Sequence, residues 1–493
     1  MLIATQCEAQ QKTRKIDLVN ADNAMYDKSK GEFTRLIGNV IFQHEETLMY
    51  CDSAYLYDES NSLIALGKVH IKVNDSINIY SDSLHYDGNT KIAELHRNVK
   101  LIDNQITLTT EHLTYNMRDK LGRYYDGGKI VDPDNTLTSV IGFYYSEKKD
   151  FFFNDSVVLV NVNYTMHSDS LMYNTKSEIS HFFGPTTMTS EENFIYCEKG
   201  WYDTKKDASE FTKNAWMRND KQKMSGDSIL YNRITGVGLA YHNVTITDTS
   251  RSSIIKGNFI RYDQKHEYSL ATDSALLMQY DKGDTLYLHA DTLLATFDTA
   301  TRKAKTIYAF HKVKFWRTDL QGMADSLVYR YSDSTINLFY NPVLWTEDKQ
   351  LKADTIVIHL ANNLVRMIDL FSAAFVITCD DSTAGRYNQV KSLNMKGFFN
   401  EGELYKIEAY TNAETIYYLR EDNGKRIGTN KAVSRNLAIY INNNEIKTIS
   451  FLDKPEATLY PDKDVKGDDL YLKDFIWLDK KRPKTKFAVY TWN

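Results

Sequence analysis

The sequence predicts an all-β protein assembled from tandem units of about 30 residues, and three observations carry that prediction. The 493-residue chain holds 34 tyrosines but only 6 prolines. Tyrosine favours strands, and proline cannot donate to a strand ladder. A short phrase recurs along the chain at a near-constant spacing. Inside each recurrence apolar residues alternate with polar ones, the period of a half-buried strand.

The recurring anchor phrase is a small residue, then Asp-Ser, an apolar residue, any residue, and Tyr. It first appears as Ala21-Asp22-Asn23-Ala24-Met25-Tyr26 and returns at Ser81–Tyr86, Ser168–Tyr173, Gly226–Tyr231 and Ala324–Tyr329. Looser copies start at Asp52, Glu111, Glu198, Asn258, Asp291 and Asp354, and Ser139 to Tyr144 is a degenerate one. Successive anchors at 22, 52, 82 and 111 are 30, 30 and 29 residues apart. A second phrase follows half a period later, as in Gly38-Asn39-Val40, Gly67-Lys68-Val69, Arg97-Asn98-Val99, Lys213-Asn214-Ala215, His242-Asn243-Val244, His311-Lys312-Val313 and Asn341-Pro342-Val343. Its middle residue lies 16 positions after the anchor at 52, 82, 169, 198 and 227. About fourteen units are discernible, irregular beyond residue 354.

Each unit is expected to hold two or three short strands separated by polar turns such as Tyr86-Asp87-Gly88-Asn89-Thr90. Stacked units share one continuous core, and at strand spacing they extend about 70–130 Å. The anchor Asp-Ser is expected to make a bend or a side-chain-to-backbone hydrogen bond at a strand start. The anchor Tyr is expected to pack across strands. Three sections follow: a terminal segment 1–16, the repeat region 17–360, and an irregular β section 361–493. The terminal segment reads either as a frayed end or as the remnant of a signal peptide with Cys7-Glu8-Ala9 as a small-x-small cleavage site. Gln6 disfavours Cys7 as a lipoprotein cysteine.

Composition narrows the function classes. The chain is 42% apolar and 25% charged, the balance of a folded protein. Its 60 basic and 65 acidic residues leave a net charge of −5, which removes the electrostatic case for nucleic acid. No apolar run reaches the length of a membrane helix, and four cysteines exclude a disulfide scaffold. Cys51 and Cys197 occupy the small-residue slot before the anchor acid, five units apart, and are expected to be free thiols. The sequence lacks a phosphate-binding glycine loop, His-Glu-x-x-His and Gly-x-Ser-x-Gly. His70, His85 and His112 fall inside strand phrases, and carboxylates recur once per unit, a structural pattern. No enzyme activity, cofactor or metal is therefore expected.

Asp-Ser-Leu-x-Tyr, a variable turn, then Gly/Asn-x-Val with an alternating strand resembles the OstA-like family, the domain of LptA and of the periplasmic part of LptD. Residues 82–101, 169–188, 227–246 and 325–343 carry the likeness best, and it covers about residues 17–360 well. Leu472–Trp477 with Arg482-Pro483 looks like the end of the long OstA-like proteins of Bacteroidetes-type bacteria. The resemblance implies an elongated antiparallel β-jelly roll, folded over into a V-shaped two-sheet stack. It also implies a periplasmic location, lipopolysaccharide transport with acyl chains in an apolar slot between the sheets, and edge-to-edge strand pairing with other Lpt-type jelly rolls, peripheral to the membrane. No length remains for the outer-membrane barrel of LptD. Alternation places Val40, Phe42, Val69, Ile71, Leu84, Val99, Leu101, Leu113, Leu171, Ile229, Val244, Ile246, Val313, Phe315 and Leu327 on one face. They either line the implied slot or fill a closed core. The competing functions are a structural or adhesive cell-surface β-solenoid and, weakest, a carbohydrate-active β-helix enzyme, which the turn-rich 29–30-residue unit disfavours.

Overall fold

A computed structural model describes residues 14–492 apart from 27, 28, 30, 192, 282, 299–303, 363, 422–423, 443–444 and 462–466. The terminal Cys7 and its proposed cleavage site lie outside the described residues. The chain forms two compact units: residues up to Asp220 with Ser228–Ile234, and Lys221–Asp227 with Thr235 onward. Each is a jelly roll of antiparallel strands joined by short turns.

In the first unit one repeat comprises two long strands, not two or three short ones. Thr47–Tyr57 and Ser62–Lys72 make one repeat, and Ile77–Asp87 and Ile92–Asp103 the next. Every such strand is interrupted midway by a register shift, for example between Ile37 and Val40 and between Leu66 and Val69. The shift is a β-bulge, which bends the strand sharply. One half then runs in one sheet and the other half in the facing sheet.

The two recurring phrases build this corner. The return phrase supplies two successive residues in the left-handed region: Gly38 and Asn39 (φ 81° and 46°), Arg97 and Asn98 (63° and 53°), Lys213 and Asn214 (60° and 57°). The second unit repeats it at His242 and Asn243 (56° and 52°) and at His311 and Lys312 (60° and 52°). Asn tolerates this region because its short amide bonds locally. The anchor acid sits opposite. Asn98 Nδ2 donates to Asp82 at 2.9 Å, Asn214 to Glu198 at 2.6 Å and Asn243 to Asp227 at 3.2 Å. Where Lys replaces Asn, an ion pair takes over, as in Lys68–Asp52 at 3.6 Å and Lys312–Asp291 at 3.2 Å. The 16-residue offset is thus a contact distance across the corner. In the long continuous strands the anchor acid lies mid-strand at the bend, because the strand continues through the bulge, whereas Asp22 and Asp354 directly precede Asn23–Tyr26 and Thr355–Ala361 at the expected strand start.

At Gly38 and Gly184 the corner closes too tightly for the side chain that Arg97, Lys213 or His242 carries at the same position in other units. Both have positive φ, and an added Cβ would lie 2.3 Å and 2.7 Å from the carboxylates of Asp22 and Asp169. The small residue before the acid is buried inside the corner in most units, as at Ser81, Ser168, Ala290 and Ala324. As serine it donates across the bulge to the carbonyl two residues on, from Ser81 to Ser83 at 2.9 Å and from Ser168 to Ser170 at 3.0 Å. Cys51 and Cys197 fill the same position, buried and free.

The second unit has the same corners but longer strands, such as Leu364–Asp381, Arg386–Asn400 and Glu403–Arg420. It also carries a tail from Gly467 onward whose regular structure is three short 3-10 turns. The tail runs back over the outer face of one sheet, crossing strands in reverse order. Gln389 Nε2 donates to the Leu470 carbonyl at 2.8 Å, and the Leu472 N–H returns to its Oε1 at 2.9 Å. Gln350 holds Ile476 and Leu478 in the same way, at 2.8 and 2.7 Å. Arg482 donates to Gln321 at 2.8 Å and to the Glu347 carbonyl at 2.7 Å, and Lys314 Nζ donates to the Thr491 carbonyl at 2.6 Å. Val489 closes a small cluster with Leu276 and Met278.

The corner makes a graded prediction. Asn98→Gly keeps the left-handed backbone and loses only the bond to Asp82, costing about 1 kcal/mol. Asn98→Val forces a β-branched residue there and removes the bond to Asp82, costing about 2 kcal/mol. Urea unfolding of both variants checks the order, and equal losses would contradict the corner's role.

Candidate functional site

The bend brings the two halves of every strand face to face, so the space between them is the site to examine. In the first unit one wall is a cross-strand row in register: Phe42, Met49, Ile71, Ile79, Leu101 and Leu108. The opposite wall is Leu36, Ala54, Ala65, Leu84, Leu95 and Leu113. Period-two alternation sends these residues inward and their neighbours outward. The second unit repeats both rows, with Leu277, Leu288 and Phe315 on one side and Leu293, Ala309 and Leu327 on the other.

All fifteen alternation-selected residues lie on these inner faces. Fourteen, including Val40, Val69, Val99, Leu171, Ile229, Val244 and Val313, are buried; Ile246 is half-buried. In the first unit the space is filled by side chains. A residual cavity of about 20 Å³, bounded by Ile130, Leu137, Phe151, Phe153, Leu159 and Tyr173, holds little more than one water.

The mouth opposite the corner is closed by polar contacts that join the two strand ends. His44 Nδ1 lies 2.6 Å from the Tyr86 hydroxyl, and its Nε2 lies 3.0 Å from the Arg14 carbonyl. An Nε2–H donating to that carbonyl leaves Nδ1 to accept from Tyr86. Asp103, only 2% exposed, accepts from the Tyr144 hydroxyl and from Lys149 Nζ at 2.6 Å. Lys91 pairs with Glu45 at 2.6 Å and holds that carboxyl below its usual range. Tyr164 meets Tyr202 edge-on at 5.8 Å. In the second unit the Arg251 guanidinium lies 5.3 Å from the Phe297 ring. The anchor tyrosines thus do more than pack across strands. Tyr86, Tyr115 and Tyr144 are fully buried at the mouth, and burial pushes their hydroxyls above the usual phenol range. Their hydroxyls meet His44, Ser146 and Asp103 respectively.

Alternation did not single out the outer-face glutamines Gln321, Gln350 and Gln389. The signal lay in runs that do not alternate: Ala275–Met278, Val343–Trp345 and Ala374–Ile377 are buried at every position. Continuous apolar strands mean cover on both faces, and the tail is the second cover.

Among the described residues, exposed edge strands lie near both ends of the chain. Asp17–Asn20 and Asn23–Tyr26 pair with Thr34–His44 on one side and are exposed throughout. They leave Val19, Met25 and Tyr26 more than half exposed. In the second unit Glu456–Pro461 is likewise exposed along its length.

With this geometry in view, a family model described as OstA-like protein matches residues 13–169 and 163–262, which together span just over half the chain. The chain belongs to the OstA-like protein family. Among solved structures, LptH from Pseudomonas aeruginosa is described as the LptA homologous periplasmic component of the conserved lipopolysaccharide transport device. It matches at 12% identity over 23% of this chain and 80% of that chain, with a TM-score of 0.20, a likeness too slight to bear on the fold. No curated protein matches.

Two outcomes are expected of this OstA-like chain. Asp103→Ala strands Lys149 and Tyr144 without their shared acceptor and costs about 2 kcal/mol, read as lost hydrogen-exchange protection of the Tyr144 and Lys149 amides. Unchanged protection would show that the latch contributes nothing. Burial raises the Cys51 and Cys197 thiols to about 12, so thiolate is scarce at neutral pH. Iodoacetamide is expected to label both only after unfolding, and peptide mapping that finds either alkylated in the folded chain would contradict this.

Proposed function

We propose that this chain is a periplasmic lipopolysaccharide-transport or outer-membrane assembly protein that shields lipid acyl chains between its facing sheets and catalyses no reaction. The observation that carries the reading is the pair of continuous apolar rows, Phe42 to Leu108 and Leu36 to Leu113, in a chain of the OstA-like family. Each row repeats one apolar residue per strand, so an acyl chain lying across the strands meets like contacts along its whole path. Each methylene transferred from water is worth about 0.8 kcal/mol, so a long chain gains on the order of 10 kcal/mol before ordering costs.

Because side chains fill the interior, loading requires the sheets to part at the mouth. The latches there are few polar contacts per strand pair, each worth about 1 kcal/mol net, while the corner stays hinged by its bulge. In this reading residues 17–360 form the repeat roll and 361–493 its irregular continuation. The open edges at Asp17–Tyr26 and Glu456–Pro461 are the places where another jelly roll would add a strand.

The second reading is a structural or adhesive β-solenoid, and the near-absence of empty space between the first unit's sheets favours it. Photocrosslinking separates the two. A benzophenone amino acid at Val99 or Leu101 is expected to capture lipopolysaccharide, whereas one at Lys100, which alternation turns outward, is not. Equal or absent capture at inward and outward positions would reject the slot.

A further inference from the structure

The tail that covers the outer sheet face of the second unit carries a dense run of cations. Lys480-Lys481-Arg482-Pro483-Lys484-Thr485-Lys486 places five in seven residues of a chain whose net charge is −5. Arg482 is used to fasten the tail to Gln321 and to the Glu347 carbonyl. Lys484 pairs with Asp479 at 2.6 Å but stays mostly exposed. Among the described residues no carboxylate lies within ion-pair distance of Lys480, Lys481 or Lys486. Such a run alone is an ordinary solvated face.

Its surroundings are not ordinary. Phe487 follows directly and is 71% exposed, and Ile476 and Tyr490 on the same tail are each 43% exposed. The Lys486 ammonium lies 5.3 Å from the Phe487 ring and 5.8 Å from the Tyr287 ring. A shallow cleft of about 430 Å³ opens beside them, walled by Tyr287, Trp316, Lys484, Lys486 and Phe487, with the Gly283–Thr285 turn at its rim. The Asp284 carboxylate in that rim is engaged by the Thr285 N–H at 2.7 Å and by the Thr318 hydroxyl. Cations interleaved with exposed aromatic and aliphatic side chains match the boundary layer of a bilayer. There lysines meet phosphates while aromatic rings settle at headgroup depth. Water alone offers the Phe487 ring nothing in return for its exposure. The glutamine clamps at 350 and 389 and the Arg482 fastening hold the segment flat on a rigid sheet, so it is displayed without further ordering cost.

We propose that Lys480–Phe487 docks the second unit onto the phosphate-bearing headgroups of an anionic lipid bilayer. The site is separate from the slot and does not depend on lipid being carried there. Co-sedimentation of the full chain with phosphatidylglycerol vesicles and with phosphatidylcholine vesicles tests it. Binding to the first and not the second is expected, with release by high salt. Lys→Gln at 480, 481, 484 and 486 is expected to weaken binding about fivefold per residue and several hundred-fold together. Phe487→Ser, a surface change, is expected to weaken it as well, with the far-ultraviolet spectrum and unfolding midpoint of all variants unchanged. Inorganic phosphate is expected to displace the chain no better than sodium chloride of equal ionic strength. Failure of the parent chain to sediment with phosphatidylglycerol vesicles overturns the proposal, and leaves an acidic protein as the occupant of the patch. Undiminished binding by the fourfold variant, or selective displacement by phosphate, overturns it too.

Discussion

One constraint underlies the architecture: every long strand must turn a corner at its midpoint without losing its ladder. Two consecutive residues at positive φ create the bulge, and an acid on the neighbouring strand holds it through an amide or ammonium. Asn98 with Asp82, Asn214 with Glu198 and Lys312 with Asp291 are versions of one contact. Left-handed backbone costs energy in non-glycine residues, so the corner persists only where its partners repeat. Remove the bend and the inner rows no longer face one another, the strand ends no longer meet, and no enclosed apolar space exists.

Given the corner, the enclosed space is a balance between two margins of different chemistry. At the fold line small residues such as Ser81, Ser168 and Cys197 let the sheets approach closely. At the opposite margin buried tyrosines and His44, Asp103 and Lys149 close the gap with directional contacts. Dispersion and burial hold the interior together over a large area, while the closure rests on a thin line of polar bonds. That asymmetry makes the margin opposite the fold line the weaker of the two.

The second unit departs from this plan in one respect. Its outer sheet face carries Leu276, Met278, Trp316, Trp345 and Ile377 where the first unit presents polar residues such as Lys100 and Thr109. An apolar face in water would attract other chains. The tail removes that hazard, and the buried glutamines explain how an irregular segment can do so. Gln350 and Gln389 each offer one donor and one acceptor to the tail backbone, standing in for a missing strand partner, and Gln321 accepts from the Arg482 guanidinium. With its inner side used in this way, the tail's outer side is free to carry charge and exposed aromatic rings.

Much of this was legible in the residues. Alternation and the recurring Asp-Ser and Asn-Val phrases specify an all-β antiparallel repeat and the inward set from Val40 to Leu327, because strand periodicity writes itself directly into sequence. The 16-residue offset was visible as a number, but not as a corner. A bulge needs two strands in register, and register belongs to the pair. For the same reason the anchor tyrosines read as packing residues: their partners His44 and Asp103 lie 42 and 41 residues away, across a gap that exists only after bending. The tail was the least legible part, since Gln350 and Leu478 are 128 residues apart and no local pattern joins them. Sequence alone determined which residues turn inward. Only the tertiary structure decided that the inner space is filled and latched, and that one outer face is covered, because both depend on contacts between segments distant in the chain.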